Sequence, residues 1–170
     1  MPPSSDLERL YDEHGQALFA FLLNLTRNEA DTRDLLQELF SKIAAQSHLM
    51  RGVREERAFL LRLVHNAAID LIRRRGTRDR NYEQLAAEST TLFAPAADPD
   101  EQTFREALSK ALGELPPEQR AVVHLKLWEG VTFQTIATVL GVSPNTAASR
   151  YRYGIDKLRD QLRQLYEEIK

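Results

Sequence analysis

Residues 115–162 constrain this chain more than any other segment, because their punctuation suits two short helices meeting at a tight turn. Thr132 offers an N-cap hydroxyl, and Phe133, Ile136, Ala137 and Leu140 then recur at helical spacing. Gly141 follows as the turn, where positive φ suits a residue without a Cβ. Ser143 supplies a second N-cap, and Pro144 falls where a missing N–H costs nothing. The helix that starts there presents Asn145, Ser149, Arg150 and Arg152, side chains suited to phosphates and base edges. The pattern is that of a helix-turn-helix, whose second helix enters the major groove of DNA.

The rest of the composition narrows the class. The chain has 170 residues, enough for one compact domain or two small ones. It has no cysteine, which excludes disulfides, Cys-based zinc sites and thiol redox chemistry. His14, His48, His65 and His124 show no metal-ligand spacing, so no metal or other cofactor is expected. The longest apolar runs, such as residues 18–25, are too short to span a bilayer, and the amino terminus carries no signal-peptide pattern. A cytoplasmic protein is therefore expected. The net charge of −2 is unevenly spread. Residues 1–50 hold 4 basic and 8 acidic side chains, and residues 51–80 hold 9 and 4. Residues 81–118 hold 2 and 8, and residues 119–170 hold 8 and 5. DNA responds to local Lys and Arg, so two basic blocks outweigh an acidic total.

Glycine is scarce and strand-like alternation nearly absent, so the expected fold is all-α. A first helix is expected over about residues 6–26, with Leu7, Leu10, Tyr11, Leu18, Phe21, Leu22 and Leu25 inward. Asn28 caps a second helix carrying Leu35, Leu36, Leu39, Phe40 and Ile43. A third, over residues 54–75, buries Phe59, Leu60, Leu63, Val64, Ala67 and Leu71 and ends at Arg73, Arg74 and Arg75. The helical period is then lost through Gly76, Ser89, Thr90, Thr91, Pro95 and Pro99, with a helical fragment expected near residues 82–87. The expected organisation is two small helical domains joined by a flexible linker. A helical bundle covers residues 1–76, the linker 77–101, and a four-helix helix-turn-helix domain 102–170. Trp128 is expected in the second core, and Ile155, Leu158, Leu162, Leu165 and Ile169 on the inner side of the last helix.

Three segments together resemble the bacterial RNA polymerase sigma factors of the ECF (extracytoplasmic-function) group, within the sigma-70-like family. The second helix is similar to that family's acidic signature at Asp31, Asp34, Leu35, Gln37, Glu38 and Phe40. The third is similar to its promoter-melting helix at Phe59, Leu60, Asn66, Asp70, Arg73 and Arg74. The last segment matches at Leu115, Pro116, Arg120, Ser149 and Arg150. It departs from the family where Ala148 replaces a basic residue, Tyr153 stands where a second Arg is common, and Thr135 replaces Glu. The last change removes the capping-box partner of Thr132.

The resemblance implies a role for each segment. Asp31, Asp34, Leu35, Gln37, Glu38 and Phe40 would bind a coiled coil on the largest subunit of core RNA polymerase, although core packing explains Leu35 and Phe40 equally well. Arg62, His65, Asn66, Arg73 and Arg74 would engage the minus-ten element, with a base flipped from the non-template strand. Ser143, Asn145, Thr146, Ser149, Arg150, Arg152 and Tyr153 would read the minus-thirty-five element, and this domain would meet the flap of the second-largest subunit. A cognate anti-sigma factor, with promoter DNA and core polymerase, completes the expected partners. The alternative is a stand-alone helix-turn-helix repressor or activator, which would have no need of the acidic second helix. No nucleophile triad, phosphate loop or metal cluster supports an enzyme, and no small-molecule substrate is expected.

Overall fold

The structure, a computed structural model, describes residues 4–76 and 92–169. Among the described residues there are seven α-helices and no strand. They are α1 (Ser4–Thr26), α2 (Glu29–Ala45), α3 (Glu56–Arg75), α4 (Pro99–Glu114), α5 (Pro117–Leu127), α6 (Phe133–Leu140) and α7 (Pro144–Ile169), with a short 3-10 turn at Ser47–Met50. No described helix is long and apolar enough to cross a membrane. The helical fragment expected at residues 82–87 and the side chains of Leu165 and Ile169 lie outside the described residues.

α1, α2 and α3 form the first half. Asn28 caps α2, its side-chain oxygen accepting the Asp31 N–H at 2.9 Å. Leu18, Phe21, Leu22, Leu25, Ile43, Leu60 and Leu61 are almost wholly buried, each contributing about 1.5–3 kcal/mol. Arg9 pins α1 to α3 through both oxygens of Glu56, and His14 meets the same carboxylate at 3.3 Å. Tyr11 departs from the expected inward stripe. Its ring stands edge-on to Phe40 at 5.2 Å, yet the residue is 56% exposed.

α3 departs more instructively. Leu61 and Ala68 are fully buried, although a single stripe places them outside, while Phe59, Leu63, Ala67 and Leu71 are only half-buried. The reason is that α3 packs against α1 and α2 on one side and against α6 on another. A helix held from two directions buries more than one stripe.

The second half is built from α4 to α7. Asp98 caps α4, accepting the Asp100 N–H at 2.9 Å, and Pro99 takes the first helical position. α4 therefore begins three residues before the expected domain start at residue 102. α5 and α7 approach so closely that a Cβ on Gly154 would lie 2.7 Å from Val123 Cγ2.

The two halves share one core. The apolar cluster runs from α1, α2 and α3 into Ala121, Val122 and Leu125 of α5, Ile136 and Val139 of α6, and Ala147 of α7. Polar contacts line the same seam. Arg120 donates to the Leu25 carbonyl at 2.7 Å, and Arg27 donates to the Ser109 carbonyl at 2.7 Å. Trp128, expected in the core, is instead 42% exposed at the seam's edge, tilted against Phe93 and His124.

Candidate nucleic-acid interface

The turn between α6 and α7 is assembled as its residues dictate. Gly141 adopts φ 70°, the left-handed region that a Cβ disfavours, and lets the chain reverse. Ser143 Oγ accepts the Thr146 N–H at 3.1 Å, starting α7. Thr132 Oγ1 accepts the Thr135 N–H at 3.1 Å and also donates to the Thr135 hydroxyl. The cap therefore survives without Glu at 135, and only the reciprocal half of the box is lost.

Periodicity then sorts α7. Ala147, Tyr151, Gly154 and Leu158 fall on one side, with Ala147, Gly154 and Leu158 buried and Tyr151 packed edge-on against Phe133 at 5.5 Å. Asn145, Ser149 and Arg152 share the opposite side. Ser143, Asn145, Arg152 and Tyr153 are exposed, and Thr146, Ser149 and Arg150 are half-buried. An exposed amide, hydroxyls and a guanidinium at the start of one helix make a surface that can contact phosphates and base edges.

α3 carries a second such face. Arg62, Asn66 and Arg73 lie within about one-ninth of a turn of each other around the helix, and all three are exposed, as is Arg74. His65 is not with them. It is 9% exposed, its ring stacked on Phe21 at 6.4 Å, and burial holds its pKa below the usual histidine value, with Arg150 adding to the effect. In this closed arrangement His65 lies in the seam, against Phe21 of α1.

On α2, Asp34, Gln37 and Glu38 project together into solvent. Asp31, on the same side of the helix, is instead engaged in an ion pair with Arg75 at the end of α3. Leu35 and Phe40 are buried at 7% and 9%, so packing accounts for both. Beside this face a groove of about 570 Å³ runs between α1 and α2, lined by Leu7, Tyr11, Phe19, Leu36 and Phe40. Glu13, His14 and Glu56 bring ligand-type atoms within 4.8 Å of one another, but Arg9 occupies both carboxylates, making the cluster a salt-bridge network.

Sequence reasoning did not foresee Arg27, Ser109 or the contact of Arg120 with Leu25. Arg27 carries a signal that could have been used: it follows the last residue of α1, a position that usually takes glycine.

Residues 10–78 match the Sigma-70 region 2 family, and residues 105–165 match the Sigma-70, region 4 family. RNA polymerase sigma factor CarQ of Myxococcus xanthus is 33% identical over 165 residues, covering 95% of this chain and 92% of its own length. ECF RNA polymerase sigma factor SigL of Mycobacterium tuberculosis is 32% identical over 163 residues, covering 94% and 90%. The fold is similar to that of the sigma factor RpoE, co-crystallised with the anti-sigma factor NepR from Bartonella quintana. The TM-score is 0.73 at 24% identity, over 93% of this chain and 97% of that one.

Proposed function

Because this chain belongs to the RNA polymerase sigma factors, in their ECF group, we propose a division of promoter recognition among its three exposed faces. Its function is to bind core RNA polymerase and direct promoter-specific initiation of transcription. Asp34, Gln37 and Glu38 dock on a basic surface of core polymerase. Arg62, Asn66, Arg73 and Arg74 hold the minus-ten strand, with Asn66 offering its amide to an unstacked base. Asn145, Ser149, Arg152 and Tyr153 read minus-thirty-five DNA, and Arg150 clamps a phosphate. The chain acts in the bacterial cytoplasm, and the covalent chemistry belongs to the polymerase.

The observation that carries this division is that the acidic face of α2 and the Arg62–Asn66–Arg73 face of α3 are both exposed. A repressor needs neither. Promoter elements centred near positions −10 and −35 lie about 25 base pairs apart, roughly 85 Å of B-DNA. A compact 170-residue chain has a radius of gyration of only ~15 Å, so the closed arrangement cannot read both at once. Reading both therefore requires the two halves to part on the polymerase. An anti-sigma factor that engages both halves would oppose that opening.

Run-off transcription with purified core polymerase on promoter fragments from the protein's own operon tests this. Discrete transcripts that disappear with Asn66→Ala or Asp34→Arg are expected. Absence of transcripts and of core binding, together with tight dimeric binding to duplex DNA, would overturn it in favour of the repressor.

A further inference from the structure

We infer that the cavity lined by Asn24, His124 and Trp128 is a small-molecule site, built for an uncharged aromatic ligand with a hydrogen-bonding edge. The site stands on side-chain geometry and does not depend on the promoter reading.

The cavity holds about 350 Å³, within the ~300–1,000 Å³ typical of small-molecule sites. Ala17 and Asn24 line it from α1, Leu112 from α4 and His124 from α5, with Phe93 and Trp128 from the segments beside those helices. Its three rings adjoin one another. The Trp128 centroid lies 6.0 Å from that of Phe93 and 5.5 Å from that of His124. Apolar walls with several ring faces suit a flat aromatic body.

The polar groups say more about the occupant. Asn24 and His124 are 2% and 6% exposed, and they meet each other at 3.0 Å. Asn24 Nδ2 donates and His124 Nδ1 accepts, so the neutral ring carries its proton on Nε2. Among the described residues, neither His124 Nε2 nor Asn24 Oδ1 has a hydrogen-bond partner, and both atoms are buried. A donor and an acceptor left bare in a largely apolar cavity are costly unless something enters to meet them. They specify a ligand edge that accepts from His124 or donates to Asn24, and a hydroxyl can do either. Glu129 argues that the ligand is uncharged. Its side chain is 8% exposed and already opposes Arg57 at 3.6 Å, so the residues lining the cavity offer a charged ligand no unpaired counter-ion.

The probe that tests this is 2-naphthol, two fused aromatic rings with one hydroxyl, and its control is naphthalene, the same body without the hydroxyl. Calorimetric titration of the full chain gives affinity and stoichiometry. The indole N–H resonance of Trp128, the chain's single tryptophan, reports the place. One 2-naphthol per chain is expected to bind and shift that resonance, about tenfold more tightly than naphthalene although naphthalene is the more apolar. His124→Phe keeps a ring but loses the Nε2 donor, and should erase the preference for 2-naphthol. Ala17→Leu fills space at a half-buried position of a helix that accepts leucine readily, and should weaken both molecules. It decides the matter if His124→Phe does not fold. Absence of 2-naphthol binding would leave the cavity to ordered water and overturn the proposal. So would equal affinity for the two molecules, or binding that neither moves the Trp128 resonance nor responds to Ala17→Leu.

Discussion

Asn24 Nδ2 and His124 Nδ1 lie 3.0 Å apart inside the core shared by the two halves. An amide N–H can only donate, so the ring nitrogen accepts and the imidazole is neutral. Phe21 and Trp128 flank the ring at 5.3 and 5.5 Å, and burial lowers the His124 pKa to about 4.

Stability should therefore depend on pH through His124. In the unfolded chain its ordinary value of 6.5 applies, so that state takes up the proton first as pH falls. The stabilisation is fully present above about pH 6.5 and is lost progressively down to about pH 4, up to roughly 3 kcal/mol. Urea unfolding at pH 7 and pH 5 checks this against His124→Gln, which cannot titrate. An equal acid loss in both proteins would remove His124 as the cause.

Asp31 and Asp34 are three residues apart on α2, yet their substitution should fail for different reasons. Asp31 is tied to Arg75, and its side chain is 13% exposed, so Asp31→Ala should cost ~1–3 kcal/mol of stability. Asp34 is exposed, so Asp34→Ala should change stability by no more than ~0.5 kcal/mol while weakening core binding. Denaturation and core-binding assays on both variants separate the two effects. A stable Asp31→Ala protein would show that the pair with Arg75 contributes little.

How much was legible in the sequence follows from how local each signal is. Asn28, Thr132, Gly141 and Ser143 act within three or four residues of themselves, and the structure has each where its chemistry pointed. Leu61, His65 and Ala68 were missed because α3 is packed from two directions, by α1 and α2 and by α6, and neither neighbour is written in the local period. Arg27 and Arg120 bind backbone carbonyls 82 and 95 residues away, and a carbonyl carries no sequence signature. Tyr11 and Trp128 erred in the other direction. Periodicity shows which residues share a side, but not whether the neighbouring element extends far enough to cover them.

Ser143 tests how the reading helix is held. Its hydroxyl satisfies the Thr146 N–H at the start of α7, so Ser143→Ala should cost ~1 kcal/mol. The first turn of α7 carries Asn145, so its loosening should weaken minus-thirty-five binding beyond the global stability loss. Ser143→Asp, which can cap as well, should restore the stability. Failure of Asp to do so would show that the Ser143 hydroxyl is needed for something other than the cap.

Gly154 sets how closely α7 lies on α5. A Cβ there would sit 2.7 Å from Val123 Cγ2, and a β-branched valine inside a helix has little freedom to move aside. Gly154→Ala should therefore destabilise by about 1–3 kcal/mol, despite alanine's better helix propensity. The clash involves one methyl, so Val123→Ala should recover much of the loss when combined with Gly154→Ala. A double-mutant cycle by urea denaturation measures this directly. Additive costs would mean that α7 shifts away from α5 as a whole, and recognition of minus-thirty-five DNA should then change with it.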